Sequence, residues 1–551
     1  MPFLRPSLTV ALSIAAALPA AMLFSNATAH AEGFDPALGD QRQYFVGLRL
    51  GADSPVLQRE DRYIESVMRY RVDTDVDAVM AFDIEPRYLM ISAPYYDVLF
   101  DSASPETFET AIARAMAAGF ELQADSRGHT TMTAHDSNAW QALSTGQDDL
   151  NPEQFTRAFG VPGIMAELPP TVGATVTVGG LHPLSDVTLT VTEVTDQWIT
   201  ADLSPADKAE PGDWPLPGGD VAVSLSKLEG RVKVERDTGW IESLALFAEQ
   251  TGQYQGQAVT IPLTLAMQAL DDEAALGEHA PSMLYHFETF ADPSEEEPGQ
   301  EHYDLDLPQR KEALTARNPR QPDDVQKVFP EREGRFRIDV DQNALTLRVP
   351  IHLEERQFAG GLSLNALTLQ GADGEALALP LRVTSNHQVN STQRGQAIEI
   401  TLRPLGWESV DWSTVQGVTA TLAYRPVTVE EHLFIELGDE PTSVQRGDAV
   451  ARAIPIPQTS GEWHLELGNR RNAFIPDNST LHGDIRVYNT NLRYDASLPP
   501  TPRSLIEGVS FPYAHDFQLK IEGDADRLPL VLTPFAQEVQ AFDMTFTPAS
   551  P

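Results

Sequence analysis

Apolar and polar residues alternate with a period of two through most of the chain beyond Tyr44. In Ser66-Val67-Met68-Arg69-Tyr70-Arg71-Val72-Asp73 one face is largely apolar and the other largely charged, which predicts a half-buried antiparallel strand. The alternation returns at Val172, Val176 and Val178, at Val187, Leu189, Val191 and Val194, and from Val221 to Phe247. Two interruptions have helical spacing. Ser104-Pro105-Glu106 offers a capping hydroxyl ahead of a first-turn proline, Phe108, Ile112 and Met116 share one stripe, and Gly119 ends it. A shorter helix is predicted from Asn151-Pro152 to Gly160.

Past Phe336 the pattern is strands alone. Phe336 and Ile338, then Leu345, Leu347 and Val349, then Ile398, Ile400 and Leu402, then Val418, Ala420 and Leu422 form alternating runs, and Gly371-Ala372-Asp373-Gly374-Glu375 is a hairpin signal. A stretch of about 100 residues in this style predicts an immunoglobulin-like β-sandwich over 326–426, without the Cys-Trp-Cys signature of antibody domains. Residues 427–551 repeat the style more weakly and predict a second sandwich module. The run from Ala291 to Glu301 has two prolines, a block of acids and no apolar periodicity, so 291–325 reads as an acidic linker.

Gly230-Arg231-Val232-Lys233-Val234-Glu235-Arg236-Asp237-Thr238-Gly239-Trp240-Ile241 contains the pattern Gly-x-Val-x-Val-x-x-x-Thr-Gly-x-Ile. It is preceded by Leu168-Pro169-Pro170-Thr171-Val172-Gly173 and by Val191-Thr192-Glu193-Val194. Across residues 44–270 these features resemble bacterial envelope proteins of uncharacterised activity built on a curved antiparallel sheet. The resemblance implies a fold and brings no catalytic residue with it. The expected class is therefore mainly β: an α+β domain with a curved antiparallel sheet at 32–290, then two sandwich modules. Asp237-Thr238-Gly239 is a hairpin turn in which Gly supplies a positive φ.

Residues 1–31 read as a signal peptide. Arg5 precedes an apolar run from Leu8 to Phe24, and Ala29-His30-Ala31 gives the small-x-small pattern before a cleavage site. At 17 residues the run is shorter than the ~20 that a membrane span needs, and no later stretch is as long, so no transmembrane segment is expected in the mature chain. Periplasmic or extracellular localisation follows. The chain has no cysteine, which excludes disulfides and thiolate chemistry. Its 80 Asp and Glu against 39 Lys and Arg give a net charge of −41, and 33 of those cations are Arg. Such a surface repels nucleic acid and suits a salt-adapted bacterium, because salt screens its self-repulsion.

Motifs for chemistry are sparse. Ser224-Leu225-Ser226-Lys227 has the Ser-x-x-Lys spacing, yet on an alternating strand positions i and i+3 face opposite ways, and there is no Lys-Thr-Gly. His129 and His135, six apart, would lie about 20 Å from each other on a strand, too far to share an ion. Asp73-Thr74-Asp75-Val76-Asp77 opens like a calcium loop but has Ala78 and Ile84 where Gly and Glu are needed. His286 with Glu288, and His352 with Glu354, are same-face strand neighbours of no special chemistry. No metal site and no cofactor are expected. Candidate binding residues are the aromatics Tyr95, Tyr96, Trp407 and Trp412, beside acids or in an extended segment, where exposed rings would stack on a sugar.

The sequence thus favours a non-catalytic binding or structural protein whose partner is an envelope protein or glycan. The other reading is an envelope hydrolase acting on a polymer, with its site within residues 44–290. One prediction follows from charge alone. Loss of the leader removes only Arg5, leaving 38 cations against 80 acids. The melting temperature should rise as NaCl goes from about 0.05 to 1 M, where the Debye length falls to ~3 Å. Mild acidification at low salt should act in the same direction; a melting temperature indifferent to salt would mean that the acids are neutralised locally.

Overall fold

The computed structural model describes residues 34–276 and 324–549, apart from 51–61, 77–78, 94–96, 109, 126–129, 146–161, 164–167, 179–186, 207–211, 217–218, 255, 271–273, 353–357, 385–386, 391–396, 408, 427–430, 447–448, 470–484, 488–491, 495–514, 525 and 533–537. The architecture is mainly β, with few helices and several sheets.

The N-terminal part is one thirteen-stranded antiparallel sheet. Its strands are β1 (Gln41–Leu50), β2 (Arg62–Val76), β3 (Val79–Ala93), β4 (Asp97–Asp101), β5 (Phe120–Asp125), β6 (Thr130–Ala134), β7 (Thr175–Val178), β8 (Val187–Val194), β9 (Trp198–Pro205), β10 (Gly212–Leu216), β11 (Gly219–Glu235), β12 (Ile241–Tyr254) and β13 (Gln257–Leu270). Their order is β6-β5-β3-β2-β1-β13-β12-β11-β9-β8-β7, with β4 on β3 and β10 on β11. The sheet is curled. Phe82 on β3 and Trp240 at the start of β12 have ring centroids 6.4 Å apart, although four strand steps separate them, about 19 Å in a flat sheet.

The inner face closes on its own apolar residues, with Tyr44, Tyr70, Phe82 and Trp240 at its centre. Phe34 plugs this cluster edge-on to Trp240 at 5.2 Å, and Arg42 reaches Glu235 at 2.7 Å to tie β1 to β11 across the curl. The predicted turn at 237–239 is present, with Gly239 at φ 76°.

The first predicted helix is split. Ser104 makes no side-chain cap to the short 3-10 turn Pro105–Thr107; the α-helix α1 (Ala111–Ala118) begins after Thr110, whose hydroxyl accepts from the Ala113 N–H at 3.1 Å, and Gly119 ends it at φ 79°. A helix that alternation did not suggest, α2 (Ser137–Thr145), is capped by Asp136 and packs Trp140 on Phe120. The helix expected at 151–160 lies outside the described residues.

The second unit comprises α3 (Val325–Val328), β14 (Glu333–Asp339), β15 (Ala344–Pro350), β16 (Phe358–Gln370), β17 (Ala376–Leu377), β18 (Leu381–Val383), β19 (His387–Asn390), β20 (Ala397–Pro404) and β21 (Gly417–Pro426). The chain then forms β22 (Glu431–Glu436), β23 (Thr442–Arg446), β24 (Ala449–Pro455), β25 (Glu462–Asn469), β26 (Ile485–Val487), β27 (Leu492–Tyr494), β28 (His515–Gly523) and β29 (Arg527–Leu532) in two small sheets, β22-β29-β26 and β23-β24-β25-β28-β27. It returns as β30 (Gln540–Pro548) to the second unit, whose order is β17-β16-β21-β30-β14-β15-β20-β18 with β19 on β16. The boundary expected at 426/427 is therefore crossed: 431–532 is an insertion, and the last strand belongs to the sheet before it. The start of this unit is likewise shared, since Leu276 lies in its core.

Gly163 lies directly under the Phe34 ring, where a Cβ would come within 2.0 Å of ring carbons. Phe34→Ala should cost about 3–5 kcal/mol by urea denaturation, and Gly163→Ala should also destabilise by forcing the ring out. Combined, the two should cost less than their sum, because the added methyl enters the space the ring vacated.

Candidate functional site

Among the described residues, buried polar groups gather where the outer face of β1–β3 meets the second unit. Its geometry begins at Pro86, which has no N–H to give to the ladder. The β2–β3 register passes from Val67↔Tyr88 to Met68↔Pro86, leaving Arg87 as the extra residue of a bulge. The carbonyls there serve the second unit instead: Pro86 accepts from Trp407 Nε1 at 2.7 Å, and Arg87 accepts from the Gly406 N–H at 2.7 Å. The Arg87 side chain is buried and donates to Gln43 Oε1 at 2.9 Å.

Beyond the bulge Tyr88 points outward yet is fully buried, packed with Phe45, Val67, Ala103, Ala275 and Leu405. The Arg382 guanidinium on β18 lies 3.6 Å over the Tyr88 ring, donates to its hydroxyl and pairs with Glu65 Oε2 at 3.3 Å. Arg403 at the end of β20 pairs with Asp101 and donates to the Gln342 carbonyl at 2.9 Å. Asn343, buried in the β14–β15 turn at φ 49°, donates to the Ala103 carbonyl at 3.1 Å and accepts from Trp412 Nε1 at 2.7 Å. Burial pushes the Tyr88 hydroxyl up to about 12, with Arg382 opposing and Glu65 adding to the shift, while burial draws Arg403 below its ordinary value.

Two of the four aromatics singled out from the sequence meet here, in a different role. Trp407 and Trp412 are 7% and 4% exposed with their indole N–H groups bonded, so neither offers a ring face to a sugar; Trp407 packs against the core of the curled sheet and Trp412 in that of the second unit. Tyr95 and Tyr96 lie outside the described residues. Sequence reading missed Glu65, Tyr88, Asn343, Arg382 and Arg403; the one local signal was a proline inside a strand pattern.

The arrangement matches each buried carboxylate with a guanidinium, which suits holding rather than reacting. Elsewhere, a bulge at Ser226 shifts the register so that Ser224 and Lys227 share a face, contrary to simple alternation. The Lys227 ammonium is 3.2 Å from Glu249 Oε2, and Ser226 Oγ donates to the Glu249 carbonyl at 2.8 Å. His135 stands 3.1 Å from Asp83, which also pairs with Arg71 at 2.7 Å on the exposed face; His129 lies outside the described residues. Among the described residues no group of three or more His, Asp or Glu is placed to hold a metal, and no helix is long and apolar enough to cross a membrane.

No protein-family model and no curated protein matches the chain. Solved structures with some similarity include Pseudomonas aeruginosa OccK2 (OpdF) in complex with glucuronate, 7% identical over 93% of this chain and 100% of that one, at a TM-score of 0.15. The outer membrane protein opdK of Pseudomonas aeruginosa is 8% identical over 91% of this chain and 100% of its own, at a TM-score of 0.14. Superposition at that level carries no argument about fold, location or ligand.

Tyr88 provides a test of the joint. Its hydroxyl titrates near 10 when exposed and near 12 when folded, so the folded state holds its proton through a range in which the unfolded state loses it. Its contribution is full below pH 10 and falls as pH rises towards 12. Burial raises Tyr44 and Tyr70 in the same direction. Denaturation series should show stability declining over that range, with a shallower decline in Tyr88→Phe. Arg382→Ala should cost about 3–5 kcal/mol at neutral pH by stranding Glu65.

Proposed function

We propose that the protein is a non-catalytic binding or structural protein, exported to the periplasm or the cell exterior, in which the second unit is a spacer. The spacer separates the curled sheet from the inserted sheets of residues 431–532, and the partner is an envelope protein or glycan. Export is supported by the leader-like residues 1–31, and the wider class by the absence from the sequence of a nucleophile elbow, phosphate loop or metal-ligand motif.

The observation that carries the spacer reading is the position of its two attachments. Contacts to the curled sheet come from the β14–β15 turn, β18, the end of β20 and the lead into β21, through Asn343, Arg382, Arg403, Gly406 and Trp407. The insertion leaves from the end of β21 and re-enters at the start of β30. The registers Leu345↔Leu402, Val418↔Phe546 and Tyr424↔Gln540 set these two groups at opposite ends of the strands. β21 has ten residues, so the ends are about 30 Å apart.

The neighbour order also supports the immunoglobulin-like reading of this unit. β14-β15-β20-β18 corresponds to strands A-B-E-D, and β30-β21-β16 to G-F-C. Residues of both groups, among them Leu347, Ile400, Leu364 and Leu422, share one core. The insertion then occupies the F–G connection.

The chain has no cysteine, so two can be placed at will. Val340 lies in the β14–β15 turn at 68% exposure, and Asp439 is exposed within the insertion. Spin labels on Val340→Cys and Asp439→Cys should report a separation centred beyond about 30 Å, set by the strand rise. A distribution centred below ~20 Å would mean that the insertion folds back along the strands, and the spacer reading would fall.

A further inference from the structure

The insertion has the marks of a body that folds by itself, and we infer that residues 427–539 are an autonomous module, able to open and refold while the rest of the molecule stays intact. This goes beyond the spacer reading and does not depend on it.

Three observations converge. First, the module has its own core: Ile435, Trp463, Leu465, Ile521, Leu528 and Leu530 are buried, and none belongs to the apolar clusters of the curled sheet, the spacer or the joint. Secondly, its described strands pair with one another. β22 and β26 flank β29, while β24, β25, β28 and their neighbours form the second sheet. The Leu437 N–H donates to the Asp526 carbonyl at 2.8 Å, the Gly523 N–H to the Gly461 carbonyl at 2.9 Å, and Trp463 Nε1 to the Gly438 carbonyl at 3.0 Å. Among the described residues every strand pairing of β22 to β29 is with another of these strands.

Thirdly, its two attachments are neighbours. Tyr424 pairs with Gln540 in the β21–β30 ladder, so the chain leaves and re-enters the spacer about 5 Å apart. An insertion whose ends lie that close imposes no span on its host. The spacer keeps β21 and β30 zipped from Tyr424 to Val418 whatever the module does, and Phe329, stacked on Phe542 at 4.9 Å and edge-on to Tyr424 at 5.2 Å, seals that end of the core. Cooperative units of a protein follow contiguous packing, and here the buried residues named for the module have no place in the core of the second unit.

The experiment uses the full chain and hydrogen exchange read by mass spectrometry at rising urea. Leu465→Ala, at a fully buried site of the module, should lower the urea midpoint for amides of β25 and β28 by about 1–2 M and leave β15, β16 and β20 unmoved. Ile400→Val, in the spacer core, should do the reverse. Should Leu465→Ala prevent expression, the milder Leu528→Val gives the same reading with a smaller shift. If either substitution moves the midpoints of both parts together, module and spacer unfold as one unit and the inference is overturned.

Discussion

A sheet buried on both faces must have the outward side chains of its middle strands matched by residues from elsewhere in the chain. β1–β3 are in that position: Val46, Ser66 and Phe82 face the curl, while Phe45, Val67 and Tyr88 face away, and all are buried. The cover over Tyr88 is a charged residue, Arg382. Its planar guanidinium stacks on the ring and reaches the hydroxyl and Glu65 together, a geometry that a Lys or an aliphatic side chain does not reproduce. Net stabilisation from such a group is modest, because desolvation opposes it and Nε has no partner. Its physical role is registration. Slipping either part by a residue would leave a buried guanidinium facing apolar surface.

The bulge at Arg87 and the arginine cover act together. Pro86 removes a ladder donor, the bulge turns two carbonyls outward, and the Gly406-Trp407 backbone and indole supply the missing donors. A defect in one sheet thus becomes the docking point of another. Outside the joint, arginines are spent on cross-strand pairs at the surface, as in Arg71 with Asp83 and Arg231 with Asp202.

Period-two alternation made the β class legible and glycine-bearing signals the turns at 237–239 and 371–375, because each leaves a local trace, whereas the curved sheet was implied by the resemblance of residues 44–270. The helix start was misread because Ser104 and Thr110 are both competent caps, and only packing of Ile112 and Met116 into the core decides between them. The Ser226 bulge defeated simple parity, since one extra residue reverses every face beyond it. The joint was illegible for a different reason. Arg382 sits in Leu381-Arg382-Val383, the ordinary wording of a half-exposed strand, and its burial is decided by Tyr88, 294 residues away. Long-range pairing such as β14 with β30 likewise writes nothing into either strand's local pattern.

That pairing has a consequence for the order in which the molecule can be completed. A chain emerging from the ribosome presents β14 through β21, then the whole insertion, and only after it the nine residues of β30. Those residues enter between β14 and β21 and bring Phe542, Met544 and Phe546 to the core. Until then the second unit has two bare strand edges, on β14 and β21. The nascent second unit is therefore held short of its final form until the whole insertion has been made, and the strand that follows the insertion is the one that closes it.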